Sequence, residues 1–433
     1  METHPTVNAR FYVYPSKKKS DILYLVTDNP STIVYNCFHT SREEMIVMAD
    51  TENGFSLVGC MEEVPDPRAP YNQKHKFLDI IVIAVTAILC GMDTWNEIED
   101  WAKSKREWLG TFLELPGGIP SHDTINRVFQ MIDPEKFHDA FFRWTGAVAG
   151  KIEGVVAIDG KTVRRSRDDA KGNRPAHVVS AWACEASLVL GQLRVDEKTN
   201  EIKAIPELLD ILCLKGCVVT IDAMGTQKEI AEKIIDKEAD YILQVKGNQE
   251  TLMEDIALYF EKDVFPCKKK SLEKENRHYK DVCFDHGRQE TREYYVENEI
   301  GWLKANHPEW KGLSGIGACV STVTEKGVTT KTISYSIYSR SGMGAEEYGK
   351  CKRAHWGIEN SLHWVLDIGF REDESRMRAG NAAENVNVLR HIGTNLLKQE
   401  KSCKMGIASK RKKCGYDPDY LYKVLGGLNT GID

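Results

Sequence analysis

Two short apolar runs, each closing on an aspartate, constrain this chain more than any other feature. Gly154-Val155-Val156-Ala157-Ile158-Asp159 is the first, and Cys217-Val218-Val219-Thr220-Ile221-Asp222 is the second. Runs that stay apolar instead of alternating with polar residues belong to strands covered on both faces of a sheet. His177 to Cys184 and Leu188 to Val195 read as two further strands joined by a turn, and Tyr241 to Val245 as another. Ile205 to Leu214 and Gln227 to Lys237 lie between them as helices. Strands interleaved with helices make the fold class α/β, with helices on both faces of the sheet.

The flanking segments divide the chain. Residues 1–55 show no sustained period. They read as a poorly defined N-terminal extension from an over-long reading frame, with Met48 as the natural start. Residues 56–150 read as a helical N-terminal domain. Its apolar run extends from Phe77 to Cys90, Thr94 caps a helix through Trp101 and Trp108, and Ser121 or Asp123 opens another. A helix-turn-helix DNA reader and a plain helical subdomain both fit that text. Residues 151–261 form the first part of the α/β core. Residues 262–345 begin as a highly charged stretch, then read as a hairpin (Cys319 to Thr324 and Thr329 to Ser339 around Glu325-Lys326-Gly327), and together look like a β-rich insertion. Residues 346–400 return to a helical period, and 401–433 read as a basic C-terminal tail.

Composition narrows the function classes. At 433 residues with 42% hydrophobic and 28% charged residues, the chain can bury a sizeable core and is not a disordered polymer. The run from Phe77 to Cys90 is too short to span a bilayer, and no signal-peptide pattern opens the chain. The twelve cysteines lack zinc spacing and read as reduced, cytoplasmic thiols. A formal net charge of -6 gives no global nucleic-acid signature, so a DNA-binding role must rest on local patches.

The carboxyl ends of strands in an open α/β sheet form a ligand crevice. If the two Asp-ended strands are neighbours, Asp159 and Asp222 repel each other there unless a cation lies between them. Hard oxygen ligands suit Mg²⁺ or Mn²⁺ better than zinc. The competing reading is that each Asp merely caps a helix or closes a turn. A third acid is offered by Arg353-Ala354-His355-Trp356-Gly357-Ile358-Glu359-Asn360-Ser361-Leu362-His363-Trp364. On a regular helix His355, Glu359 and His363 share one face, and that face can bring Glu359 to the two aspartates. A zinc site from these three residues is a rival, and so is a solvated polar stripe beside two core tryptophans.

Several motifs occur in a fixed order: Ala157-Ile158-Asp159-Gly160-Lys161, Thr220-Ile221-Asp222-Ala223-Met224, Gln244-Val245-Lys246-Gly247-Asn248-Gln249, His286-Gly287-Arg288, His355-Trp356-Gly357-Ile358-Glu359-Asn360 and Phe370-Arg371-Glu372-Asp373. With them the chain resembles bacterial insertion-sequence transposases of the DDE superfamily, in the group of the H-repeat-associated proteins, over roughly residues 60–425. The resemblance implies an RNase H-like core, a mixed sheet with flanking helices that carries the β-rich insertion. It implies Asp159, Asp222 and Glu359 as catalytic, metal-binding residues holding two Mg²⁺ or Mn²⁺ ions. Its partners would be double-stranded DNA, both the ends of its own element and a target, and further copies of the chain. Its place would be the cytoplasm, without a membrane. Related transposases surround the catalytic Glu with a Tyr, an Arg and a Lys; the corresponding places here hold Lys352, His355 and Leu366, so those contacts do not carry over.

Two basic clusters suit phosphate neutralisation. One holds Lys161, Arg164, Arg165, Arg167, Lys171 and Arg174, the other Lys398, Lys401, Lys404, Lys410, Arg411, Lys412 and Lys413. Candidate DNA contacts are Lys161, Arg164, Arg165, Lys246, Arg353, His355, His363, Arg371 and Arg376. The expected activity is cleavage and joining of DNA at the ends of an insertion sequence by two-metal phosphoryl transfer. The alternatives are an inactive, transposase-derived DNA-binding protein and a dehalogenase-type phosphotransferase. The latter requires an acid two residues after its nucleophile, where Lys161 stands.

Overall fold

The structure, a computed structural model, describes residues 9–13, 23–27, 56–163, 177–195, 201–285 and 287–426. The expected start at Met48 lies outside the described residues, as do Arg164, Arg165, Arg167, Lys171, Arg174 and His286. β1 (Ala9–Val13) and β2 (Leu23–Thr27) pair antiparallel in a sheet of their own.

All other described strands form one nine-stranded mixed sheet. They are β3 (Val155–Thr162), β4 (His177–Ala183), β5 (Leu188–Val195), β6 (Val218–Ile221), β7 (Asp240–Val245), β8 (His278–Asp285), β9 (Arg288–Glu297), β10 (Gly315–Glu325) and β11 (Val328–Tyr338), in the order β5-β4-β3-β6-β7-β11-β10-β9-β8. β3, β4 and β5 make an antiparallel meander, while β6 and β7 run parallel to β3. The hairpin read around Glu325-Lys326-Gly327 is β10–β11. The charged stretch before it holds a second hairpin, β8–β9, which the sequence reading did not resolve. Its strands carry many charges because their outer halves face solvent, so apolar patterning is weak there. β11 also pairs with β7, so the block continues the core sheet edge to edge.

Alternation along the strands sorts the core into layers. Val156, Ile158, Val219 and Ile221 point into one cluster, packed by α7 (Glu201–Ile211), α8 (Lys228–Asp236) and α9 (Glu250–Tyr259). Val155, Ala157 and Val218 point the other way, toward α12 (Ala345–Gly357) and a large helical layer. That layer joins the helices before the sheet to those after it. α2 (Phe77–Leu89), α3 (Trp95–Ser104), α5 (His122–Met131) and α6 (Pro134–Ala149) share one core with α13 (Ala382–Gln399), α14 (Ile407–Tyr416) and α15 (Pro418–Gly426).

Local signals explain the helix ends. Thr94 and Glu97 form a reciprocal capping box at the start of α3, and Ser121 and Asp133 cap α5 and α6. The expected helix through Trp101 and Trp108 breaks at Lys105, whose φ/ψ leave the helical region; Trp108 sits in a separate turn, Arg106–Leu109. The segment read as a basic tail is largely α14 and α15. Lys410 and Arg411, 6% and 3% exposed, are internal staples instead of solvated charges. Lys410 Nζ donates to the Leu397 carbonyl, and Arg411 to the Ile88 and Gly369 carbonyls and to Asp93. Capping carbonyls that a helix end leaves open is what satisfies these buried cations.

Candidate active site

Asp159 does not end its strand. β3 continues to Thr162, and Asp159 pairs with Ser180 of β4. On the other side β3 and β6 are parallel neighbours with Ile158 opposite Ile221, so Asp159 and Asp222 are the next residues on adjacent strands. Alternation places both on the face that packs α12, and the next partners bear this out. His363 Nδ1 lies 3.5 Å from Asp159 Oδ2, and His355 Nδ1 lies 3.0 Å from Thr220 Oγ1. Asp222 Oδ1 also accepts from the Met224 amide at 3.1 Å, so the turn-closing role weighed for it is present too.

Glu359 arrives from α12. After Gly357 the helix widens into π-helical turns over Ile358–His363 and again over Val365–Gly369. Such widening is uncommon and frequently marks functional sites, although this chain also has one at Phe260–Val264, away from the acids. His355 turns to Thr220 and His363 to Asp159, on the same face of the sheet, while Glu359 is exposed. Trp356 and Trp364, read as core tryptophans, are each 58% exposed. Burial raises the Asp159 carboxyl to about 7, with the negative charges of Asp222, Glu359 and Glu201 adding to it and the Gly160 amide opposing. The three expected acids therefore sit in one electrostatic neighbourhood. Burial, with Lys352 adding to it, pushes His355 down to about 4, so its ring is neutral.

Among the described residues, no three Asp, Glu, His or Cys side chains form a ready metal cage. The donor chemistry nevertheless fits a hard cation. Carboxylate oxygens predominate, the nearby imidazoles are neutral, and the mutual repulsion at Asp159 is what a divalent ion relieves. The zinc arrangement is not assembled, since His355 and His363 face different partners.

The cationic candidates fare differently. Lys161 turns inward: its Nζ lies 2.5 Å from Asp367 Oδ1 and also bonds Glu372, and its side chain is 12% exposed. Arg371 is exposed, in a left-handed backbone conformation, and paired with Glu374. It lines a cleft of ≈ 470 Å³ with Arg376, Thr94, Asn96 and Asn126. Lys246 and Arg353 are exposed and, among the described residues, have no carboxylate partner. Lys352 joins them as a residue the sequence reading did not select. It is half-buried, and burial brings its ammonium down to about 8, with Lys246 repelling it and Cys319 opposing the shift. Glu201 was likewise missed. It bonds His177 beneath Gly160, and only the three-dimensional fold brings it near Asp159.

Comparison with known proteins places the chain. Residues 150–396 match the family described as "Transposase DDE domain", and residues 58–145 match "DDE_Tnp_1-associated". "Putative transposase YncI" of Escherichia coli O157:H7 is 41% identical over 383 residues, covering 86% of this chain and 95% of that one. "H repeat-associated putative transposase YhhI" of Escherichia coli (strain K12) is 39% identical over 369 residues, covering 84% and 96%. This chain belongs to the DDE transposase family. Among solved structures, a piggyBac transposase synaptic complex with hairpin DNA is 8% identical with a TM-score of 0.37, covering 89% of this chain and 82% of that one, a likeness too loose to bear on the fold.

Proposed function

We propose that this transposase cuts DNA at the ends of an insertion sequence and joins the freed strand to a target, with Asp159, Asp222 and Glu359 as the catalytic acids. The observation that carries the reading is the adjacency of Asp159 and Asp222 on parallel strands, with Glu359 in the same field. The antiparallel β3–β5 meander joined to parallel β6 and β7 supports an RNase H-like core, and the attachment of β8–β11 at the β7 edge supports the reading of 262–345 as an insertion into it.

The three acids would hold Mg²⁺ or Mn²⁺, two ions in this reading, which when bound supply Lewis-acid stabilisation of charge on the phosphoryl oxygens. The chain's own residues do the rest. The Thr220–His355 contact fixes α12 over the end of β6, and His363 orients Asp159. Lys246, Lys352 and Arg353 are placed to hold DNA phosphates by charge. In the reaction, water attacks the phosphodiester and a 3′-hydroxyl leaves. That hydroxyl then attacks a target phosphodiester, expelling another 3′-hydroxyl. One phosphodiester is exchanged for another in the second step, so no nucleotide cofactor is needed. The DNA partner is double-stranded, and joining two ends calls for more than one copy of the chain.

The test is nicking of supercoiled plasmid, and of duplexes carrying the element's ends, with Mg²⁺ or Mn²⁺. Asp159→Asn and Glu359→Gln are expected to abolish it while leaving DNA binding intact. Binding without metal-dependent nicking on any substrate would instead make the chain an inactive, DNA-binding descendant. The departures at Lys352, His355 and Leu366 from the usual surroundings of the catalytic Glu favour keeping that second reading under test.

A further inference from the structure

The helix bearing Glu359 is held at its far end by cations from two other parts of the fold. Lys161 lies two residues beyond Asp159 on β3, and by alternation on the same face. Its ammonium bridges Asp367 and Glu372. Asp367 belongs to the second π-helical turn, directly after the one that carries Glu359, and Glu372 opens the short turn that follows. Glu372 is 1% exposed and bonded to this ammonium. Burial alone would lower Lys161, yet Glu372 and Asp367 hold it above its ordinary value. Arg411 of α14 grips the same end, donating to the Gly369 carbonyl while also bonding Ile88 and Asp93.

We propose that Lys161 is a positioning residue: by bridging Asp367 and Glu372 it locks the Glu359 helix against the Asp159 strand and so sets the affinity of the acidic site for divalent metal. This rests on the reading of Asp159, Asp222 and Glu359 as one metal site. It reassigns Lys161, a candidate DNA contact by sequence, to an internal role. Outer partners that orient metal ligands typically change metal affinity by about 10–100-fold when removed.

The experiment measures Mn²⁺ binding to the full chain without DNA, by electron paramagnetic resonance, and hydrogen exchange of peptides spanning residues 358–370. Lys161→Met leaves Glu372 buried and unpaired, so the double variant Lys161→Met/Glu372→Gln is measured beside it to remove that charge. Lys161→Arg is the conservative variant, and Asp159→Asn the control for the site itself. The expected result is Mn²⁺ affinity lowered by about tenfold or more in the double variant. Exchange across 358–370 should quicken, and Lys161→Arg should recover part of both. Unchanged Mn²⁺ affinity in a folded double variant overturns the proposal. If the wild type itself binds no Mn²⁺, the metal reading of the acids fails. The lock is then judged by exchange alone, and unaltered exchange across 358–370 overturns it.

Discussion

The Nδ1 atom of His363 lies 3.5 Å from Oδ2 of Asp159, while its buried Nε2 has no hydrogen-bond partner among the described residues. Burial, with Lys161, His177 and His355 adding to it, pushes the ring down to about 3, so it meets Asp159 as a neutral imidazole. A neutral ring beside the carboxylate does not neutralise it; in the proposed reading a bound divalent ion would. His363→Ala is therefore expected to slow metal-dependent nicking by roughly tenfold, with His363→Gln, which keeps a donor, less affected. Nicking by His363→Ala at the wild-type rate would remove the residue from the site.

Buried and unpaired cations separate cleanly in this structure, and DNA binding should follow the same division. Lys246→Met and Arg353→Met are each expected to weaken binding and to flatten the plot of log affinity against log salt by about one unit. Lys410→Met should leave that slope alone and lower the melting temperature instead, because its ammonium caps the Leu397 carbonyl inside the fold. Fluorescence anisotropy over a salt series, with thermal melts alongside, checks both. An altered slope in Lys410→Met would contradict the division.

Acid should loosen the C-terminal helices at a defined point. Burial would raise Glu400, but bonds from the Ser402 hydroxyl, the Tyr420 hydroxyl and the Ser402 and Cys403 amides hold its carboxyl down at about 2. A folded-state pKa below the unfolded value stabilises the fold above the ordinary range near 4.5, and that stability disappears as pH falls toward 2. The contribution is about 3 kcal/mol at most. Glu400→Gln should melt lower than the wild type at neutral pH, and the gap should close toward pH 2. A gap independent of pH would show that the carboxylate is not the source.

Gly160 is needed for close approach, not for its backbone freedom. A Cβ there would lie 2.5 Å from Glu201 Oε1 and 2.6 Å from His177 Nε2, both buried. Gly160→Ala is expected to cost about 1–3 kcal/mol in urea unfolding, as overpacked cores do. It should also slow nicking, because the shifted strand carries Asp159. Unchanged stability would mean that the Glu201–His177 pair yields freely.

Much of the framework around the candidate site was legible in the sequence because its signals are local. The apolar runs before Asp159 and Asp222 announce strands covered on both faces. Thr94 announces a helix start, and Glu325-Lys326-Gly327 a hairpin. The charged β8–β9 pair was not legible, since its outer halves offer little apolar alternation. The widening of the helix at Ile358 was not legible either, since a departure from the 3.6-residue period leaves no mark in the apolar pattern there.

By itself, then, the sequence determined where the apolar core strands and most of the helices lie, since those follow from the pattern of apolar side chains along a few residues, but not that β3 runs on past Asp159 to Thr162. Only the tertiary structure decided that β3 lies beside β6, that helices from before and after the sheet share one core, and that Lys161, Lys410 and Arg411 face inward. A charge run reads the same whether it is solvated or buried. Which it becomes depends on whether carbonyls and carboxylates from other elements are there to satisfy it once water is gone.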